Sequence, residues 1–199
     1  MMHLGSISEP EHAQEAIERI QMLEAENAHL RREVEFLRGN PTIAKGLKGE
    51  SLVAKLVSAH RSRQGAAHDL ELSTSKLLFE VKYSSLLSTV AGRPIRRWVW
   101  TKIFGELGRK KYNRLLLVGD ADPRFASSYI DPTSPYVLFD LPYDAAVEIA
   151  GGVRPGRSGN IHLTTNPHTV KSKRAQSLFR DYQISALELK CRYAILEAI

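Results

Sequence analysis

Cysteine is almost absent from this chain of 199 residues: Cys191 stands alone. One thiol excludes an intramolecular disulfide and a cysteine-rich zinc site, and the setting it implies is reducing and cytoplasmic. Long apolar runs are absent too. The stretch LLLV, residues 115–118, is far short of the ~20 apolar residues that span a bilayer. The opening MMHLGSISEPEH lacks a basic region followed by an apolar one, so the expectation is a soluble protein with no membrane partner. The seven histidines form no HExxH-type pair. Internal repeats and low-complexity segments are missing as well. What is present is ordinary: 43% hydrophobic residues, enough for one domain with a real core plus an appendage.

Charge is unevenly spread. The chain carries a net +6, yet residues 1–40 hold eight Glu against four Arg, which leaves +10 for the remainder. A strongly basic body calls for a polyanionic partner, nucleic acid first.

The acidic arm has its own pattern. Ile20, Leu23, Asn27, Leu30, Val34 and Leu37 alternate spacings of three and four, the a/d seam of a coiled coil, and Ala13 and Ala16 extend it backwards. In a parallel pair, Arg19 faces Glu24, Glu26 faces Arg31 and Glu33 faces Arg38 across the seam, all attractive. A lone Asn at an a position selects two strands in register, and Asn27 supplies it. GNPT then breaks the helix, because Gly39 suits its end and Pro41 cannot continue the hydrogen-bond ladder. The expected division is residues 1–40 as a dimeric coiled-coil helix and 41–199 as the folded domain.

In the body, LFEVKYS, residues 78–84, reads as a strand whose alternation puts Glu80 and Lys82 on one face and Phe79, Val81 and Tyr83 on the other. HDLEL precedes it as a second strand, with STSK as a polar turn. If Ser73 to Lys76 form the loop, Leu72 pairs with Leu77, Glu71 with Leu78, Leu70 with Phe79, and Asp69 comes opposite Glu80. Opposed carboxylates are unfavourable unless neutralised. A divalent cation does this, and two carboxylates with water and phosphate oxygens suit Mg²⁺. Glu50 falls on the stripe of Val53, Ala54 and Val57 in a helical pattern, where an acid either points at a site or caps the helix start.

A helix bearing Glu50, then Asp69, then Glu80-Val81-Lys82 on the next strand resembles the PD-(D/E)XK nuclease superfamily over residues 42 to 120, with His68 where the family name has proline. The resemblance implies a restriction-endonuclease-like fold. It also implies one or two Mg²⁺ ions held by Asp69, Glu80 and the Val81 carbonyl, Lys82 to orient or activate the attacking water, and Glu50 to support a second metal or its water shell.

Elsewhere, RPIRRWVWTKIFGEL reads as a helix from Pro94, with Trp98 in the core and Trp100 beside Arg96, Arg97 and Lys102 at a DNA surface. YNRLLLVG is a central strand, YVLFDL and IHLTT further strands, and DAAVEIAGG a short helix capped by Asp144 and ended by Gly151. VKSKRAQSLFRDY is helical. The capping box Ser185-Ala-Leu-Glu188 opens a last helix with Leu187, Cys191, Ala194, Ile195 and Ala198 inward. Arg154, Arg157, Asn166, His168, Lys171 and Lys173 gather hydrogen-bonding and basic groups on late loops suited to reading base edges or gripping phosphate.

Together these point to an α/β domain, a central mixed sheet flanked by helices, with an N-terminal coiled coil. The activity expected is Mg²⁺-dependent hydrolysis of double-stranded DNA by a homodimer, as in a Type II restriction endonuclease. A Holliday-junction resolvase is the nearest alternative, and a non-cutting DNA-binding or assembly protein the alternative of another class.

Overall fold

The structure, a computed structural model, describes residues 9–63, 66–86, 96–108, 110–152 and 158–197. The chain forms two compact units, Met1–Ala44 and Lys45–Ile199. In the first, helix α1 runs over Glu9–Gly39, 31 residues. It stops where the sequence demands: Asn40 turns its amide to the Leu37 carbonyl at 3.2 Å, and its side chain donates to the Phe36 carbonyl at 2.8 Å. The seam residues Ile20, Leu23, Leu30 and Val34 are 42–55% exposed, an apolar stripe open to solvent.

Helix α2, Pro41–Val57, begins on a proline, whose missing N–H is no loss in a first turn. It is followed by strands β1 (His60–Arg61), β2 (Leu70–Leu72), β3 (Leu77–Ser84), β4 (Arg97–Thr101), β5 (Arg114–Asp120) and β6 (Tyr136–Pro142). Then come helix α3 (Tyr143–Ile149), β7 (Asn160–Thr164), helix α4 (Lys173–Ser177), β8 (Gln183–Ile184) and helix α5 (Ala186–Glu197).

Six strands make the central sheet, in the order β1-β2-β3-β5-β6-β8, and β4 pairs with β7 in a separate ribbon. The sheet is mixed: β3 and β5 are parallel, and the other pairs antiparallel. Its two faces alternate along each strand. Phe79, Val81, Leu116, Val118 and Leu138 pack with Val53 and Val57 of α2 and Leu189 and Tyr193 of α5. Leu115, Leu117, Phe139 and Leu141 pack instead beneath Trp98 and Trp100 of the ribbon.

The expected helix from Pro94 is therefore corrected. Residues 97–101 are a strand that buries Trp98 and Trp100 at 0% and 1% exposure, so Trp100 belongs to the core and not to a DNA surface. Each indole N–H satisfies itself on β5 or its end: Trp98 donates to the Asp120 carbonyl at 2.8 Å and Trp100 to that of Val118 at 2.9 Å. Gly119 permits this, since a Cβ there would lie 2.6 Å from the Trp98 indole nitrogen.

The face of α5 is corrected as well. Leu187, Cys191, Ala194 and Ile195 are exposed, and Leu189 and Tyr193 are buried; Ala198 lies outside the described residues. The capping box forms as expected, with Ser185 Oγ accepting from the Glu188 amide at 3.1 Å and Glu188 accepting from the Ser185 amide at 3.0 Å. Asp144 sits in the first turn of α3 and does not cap it; Pro142 holds the cap position without a side-chain bond. A π-helical turn over Leu178–Tyr182 continues α4.

Candidate active site

The β2–β3 hairpin has the register that a four-residue loop dictates: Leu72 with Leu77, Glu71 with Leu78, Leu70 with Phe79. One residue beyond, the Asp69 amide donates to the Phe79 carbonyl at 2.9 Å, which brings Asp69 beside Glu80. Its Oδ2 accepts from the Val81 amide at 2.9 Å, and this fixes the carboxylate.

Glu80 is completely buried. Burial pushes its carboxyl up to about 7, and the nearby Asp69 charge pushes the same way; the Lys82 and Lys110 ammonium groups pull it back. Lys82 pairs with Glu80 Oε1 and stands 4.0 Å from Asp69 Oδ2. The two acids and the lysine expected from the sequence are thus in one cluster.

Glu50 belongs to its electrostatic surroundings. α2 starts at Pro41, so Glu50 lies well inside the helix and the capping role falls away. Its carboxyl is half-buried and raised, first by burial and then by Asp69, against the pull of Arg61, Lys82 and Lys110. Arg61 approaches it at 3.7 Å.

Lys110 was not foreseen. Its Nζ lies 3.0 Å from Asp69 Oδ1 and 2.6 Å from both Glu80 oxygens. Burial lowers its affinity for the proton, but the two carboxylates outweigh this and the net shift is upward. Parallel pairing sets Arg114 beside Phe79, so residues leading into β5 arrive at the acidic hairpin. The only trace in the sequence is the basic run Arg109-Lys110-Lys111 just before that strand. Tyr112 follows it inward; its hydroxyl is buried with no hydrogen-bond partner among the described residues. Burial, then the Glu80 charge, raises its pKa.

Among the described residues no group of three or more His, Cys, Asp or Glu side chains is placed to hold a metal ion. Two carboxylates nevertheless converge on one cation, the Lys110 ammonium. A pair of hard oxygen donors aimed at one positive centre, with the Val81 carbonyl next in the chain, is a donor set that suits a hard divalent ion completing its shell with water and phosphate.

Beside the cluster, Tyr83 donates to Asp120 at 2.5 Å and receives a bond from Lys48 at 2.8 Å, which ties α2 to the ends of β3 and β5.

Among the described residues, several of the candidate DNA contacts are already engaged within the chain. Arg96 pairs with the buried Asp122 at 3.3 Å. Arg97 is half-buried, and Lys102 is exposed but held by Glu106 at 2.6 Å. Asn166 spends its Oδ1 on the His168 amide at 3.0 Å, and the His168 ring meets Ser128 Oγ at 3.0 Å. Lys171 and Lys173 are exposed. Arg154 and Arg157 lie outside the described residues. No family model matches the chain, and no curated protein matches it closely enough to count as a relative.

Proposed function

We propose that the protein is a Mg²⁺-dependent endonuclease of the PD-(D/E)XK type with a restriction-endonuclease-like fold, acting as a homodimer on double-stranded DNA. The observation that carries this reading is the meeting of Asp69, just before β2, with Glu80 and Lys82 of β3 across one hairpin, with Glu80 fully buried inside a basic body. A purely structural ion pair gains little from burying two acids side by side, because desolvation offsets the attraction.

Asp69, Glu80 and the Val81 carbonyl would hold the ion. When bound, it supplies positive charge that polarises the scissile phosphate and stabilises the leaving 3′ oxygen. Lys82, anchored by Glu80, orients the attacking water. Glu50 would support a second metal or the water shell of the first. The products are 5′-phosphate and 3′-hydroxyl ends. Lys171 and Lys173 grip the backbone, and Arg154 and Arg157 supply reading groups.

The open seam of α1 pairs with a second copy in parallel, matching Glu26 to Arg31 and Arg19 to Glu24. Two protomers related by a two-fold axis suit a palindromic duplex site, each cutting one strand, as in a Type II restriction endonuclease. Changing Leu23 and Leu30 to Glu puts like charges in the seam, and sedimentation should then show dissociation to monomer; an unchanged oligomer removes the arm from assembly.

A second reading rests on the same lysines: a cluster already neutralised by Lys82 and Lys110 could serve a non-cutting DNA-binding protein. Cleavage assays with Mg²⁺ on linear duplex and four-way junction DNA separate the readings. The expected result is duplex cutting that Lys82→Ala abolishes while DNA binding persists. Preference for the junction assigns a resolvase, and cutting of neither DNA supports the non-cutting protein.

A further inference from the structure

The space between Asp69 and Glu80 is filled by a cation from the chain's own body. Lys110 reaches it from the loop between β4 and β5. Ile103 and Phe104 anchor that loop in the core at 0% exposure. Lys102 enters it with φ of 56°, the Gly105 amide closes onto the Lys102 carbonyl at 2.9 Å, and the Lys110 amide donates to Phe104 at 3.1 Å. Gly105 has φ of 72°, and a Cβ there would come within 2.9 Å of the Lys110 Cγ. Glycine is what leaves the lysine stem its path.

The Lys110 ammonium uses Asp69 Oδ1 and both Glu80 oxygens. A metal ion held by the two acids would draw on carboxylates that Lys110 now occupies, so the two cations would compete for one place. Lysine suits a competitor that must leave: its head is a strongly hydrated point charge on a flexible four-carbon stem, unlike the flat two-pronged guanidinium. The Lys110 side chain is 23% exposed, so a route to solvent exists.

We propose that Lys110 is a tethered counter-ion which fills the cation position between Asp69 and Glu80 until a divalent ion displaces it, and which then offers its ammonium to the DNA phosphate. The inference rests on the metal-dependent nuclease reading. Its consequence is coupling: phosphate gives Lys110 another partner, so DNA raises the affinity for metal and metal raises the affinity for DNA by the same factor.

Calorimetric titration of Mn²⁺ into wild-type protein, Lys110→Met and Asp69→Ala, all without DNA, tests this. Lys110→Met should bind Mn²⁺ more tightly than wild type by about tenfold or more, the size of an ordinary coupling between sites, and Asp69→Ala should lose binding. Circular dichroism melts establish that each variant is folded.

Should Lys110→Met fail to fold, the wild type decides: limited acetylation read by mass spectrometry should modify Lys110 several times faster once Mn²⁺ is added, as with any released amine. If Asp69→Ala loses Mn²⁺ while folded Lys110→Met binds it no more tightly than wild type, or if acetylation of Lys110 is unmoved by Mn²⁺, the nuclease reading stands and the counter-ion falls. If Mn²⁺ binds neither wild type nor Lys110→Met, or binds Asp69→Ala as it binds wild type, both fall.

Discussion

Glu80 and Asp140 sit on strands either side of β5, on opposite faces of one sheet, and both are buried with cationic partners. Asp140 is held by two guanidinium groups and a phenol. Arg114 Nε donates to its Oδ1 at 2.8 Å, and Arg192 and the Tyr193 hydroxyl donate to Oδ2 at 2.6 and 2.9 Å. Glu80 has two lysines, and a second acid beside it. Guanidinium and phenol satisfy a buried carboxylate with fixed geometry and fasten α5 to the sheet. Lysines satisfy it through single hydrated ammonium heads on flexible stems, which is the arrangement the proposed exchange of cations requires.

The comparison breaks most sharply on activity. Lys82→Ala should lower the DNA cleavage rate by about 10²–10⁴-fold, the usual worth of a positioned proton-transfer or water-orienting group, with a smaller loss of stability than a cluster left without its acid, because Lys110 still pairs with Glu80. Asp140→Ala should do the reverse. Removing one partner of a buried, hydrogen-bonded ion cluster costs about 3–5 kcal/mol of stability, readable by urea denaturation, while the protein that remains folded cuts at the wild-type rate.

A third test uses pH. The Glu80 carboxyl is raised from 4.5 to about 7 by burial, so the folded state holds its proton longer than the unfolded state does. The stability this contributes is full below 4.5 and lost as pH rises through about 7. Between pH 5 and pH 8 without metal, the wild type should lose about 1–3 kcal/mol that Glu80→Gln does not lose. Parallel denaturation curves for the two at both pH values would remove the burial argument. The smallest effect belongs to Tyr193→Phe: one hydrogen bond to Asp140 is lost, worth about 1 kcal/mol, and cleavage stays as in wild type.

What could be read in the sequence followed from local rules. The loop length and the period of two placed Asp69, Glu80 and Lys82 together before any long-range contact was considered. Lys110 escaped because its position depends on the parallel pairing of β3 with β5, a contact between segments more than thirty residues apart. The segment around Trp98 and Trp100 fits a helix stripe as well as a strand because only four consecutive residues, Trp98 to Thr101, are aromatic or β-branched, and the deciding factor is the pair of β5 carbonyls that accept the indole N–H groups. In α5 two stripes compete, Leu187-Cys191-Ile195 and Leu189-Tyr193. The second is buried because Asp140 needs the Tyr193 hydroxyl and Phe79 offers its ring at 5.0 Å.

The central claim is that Asp69, Glu80 and Lys82 hydrolyse phosphodiester bonds with Mg²⁺. The most direct measurement is digestion of large unmethylated duplex DNA by the wild type and by Asp69→Ala, with Mg²⁺ and with a chelator, followed by mapping of the ends. The account predicts breaks bearing 5′-phosphate and 3′-hydroxyl groups for the wild type with Mg²⁺ alone, and none for Asp69→Ala or in chelator. Cutting by Asp69→Ala equal to that of the wild type, or no cutting by the wild type with Mg²⁺, would contradict it.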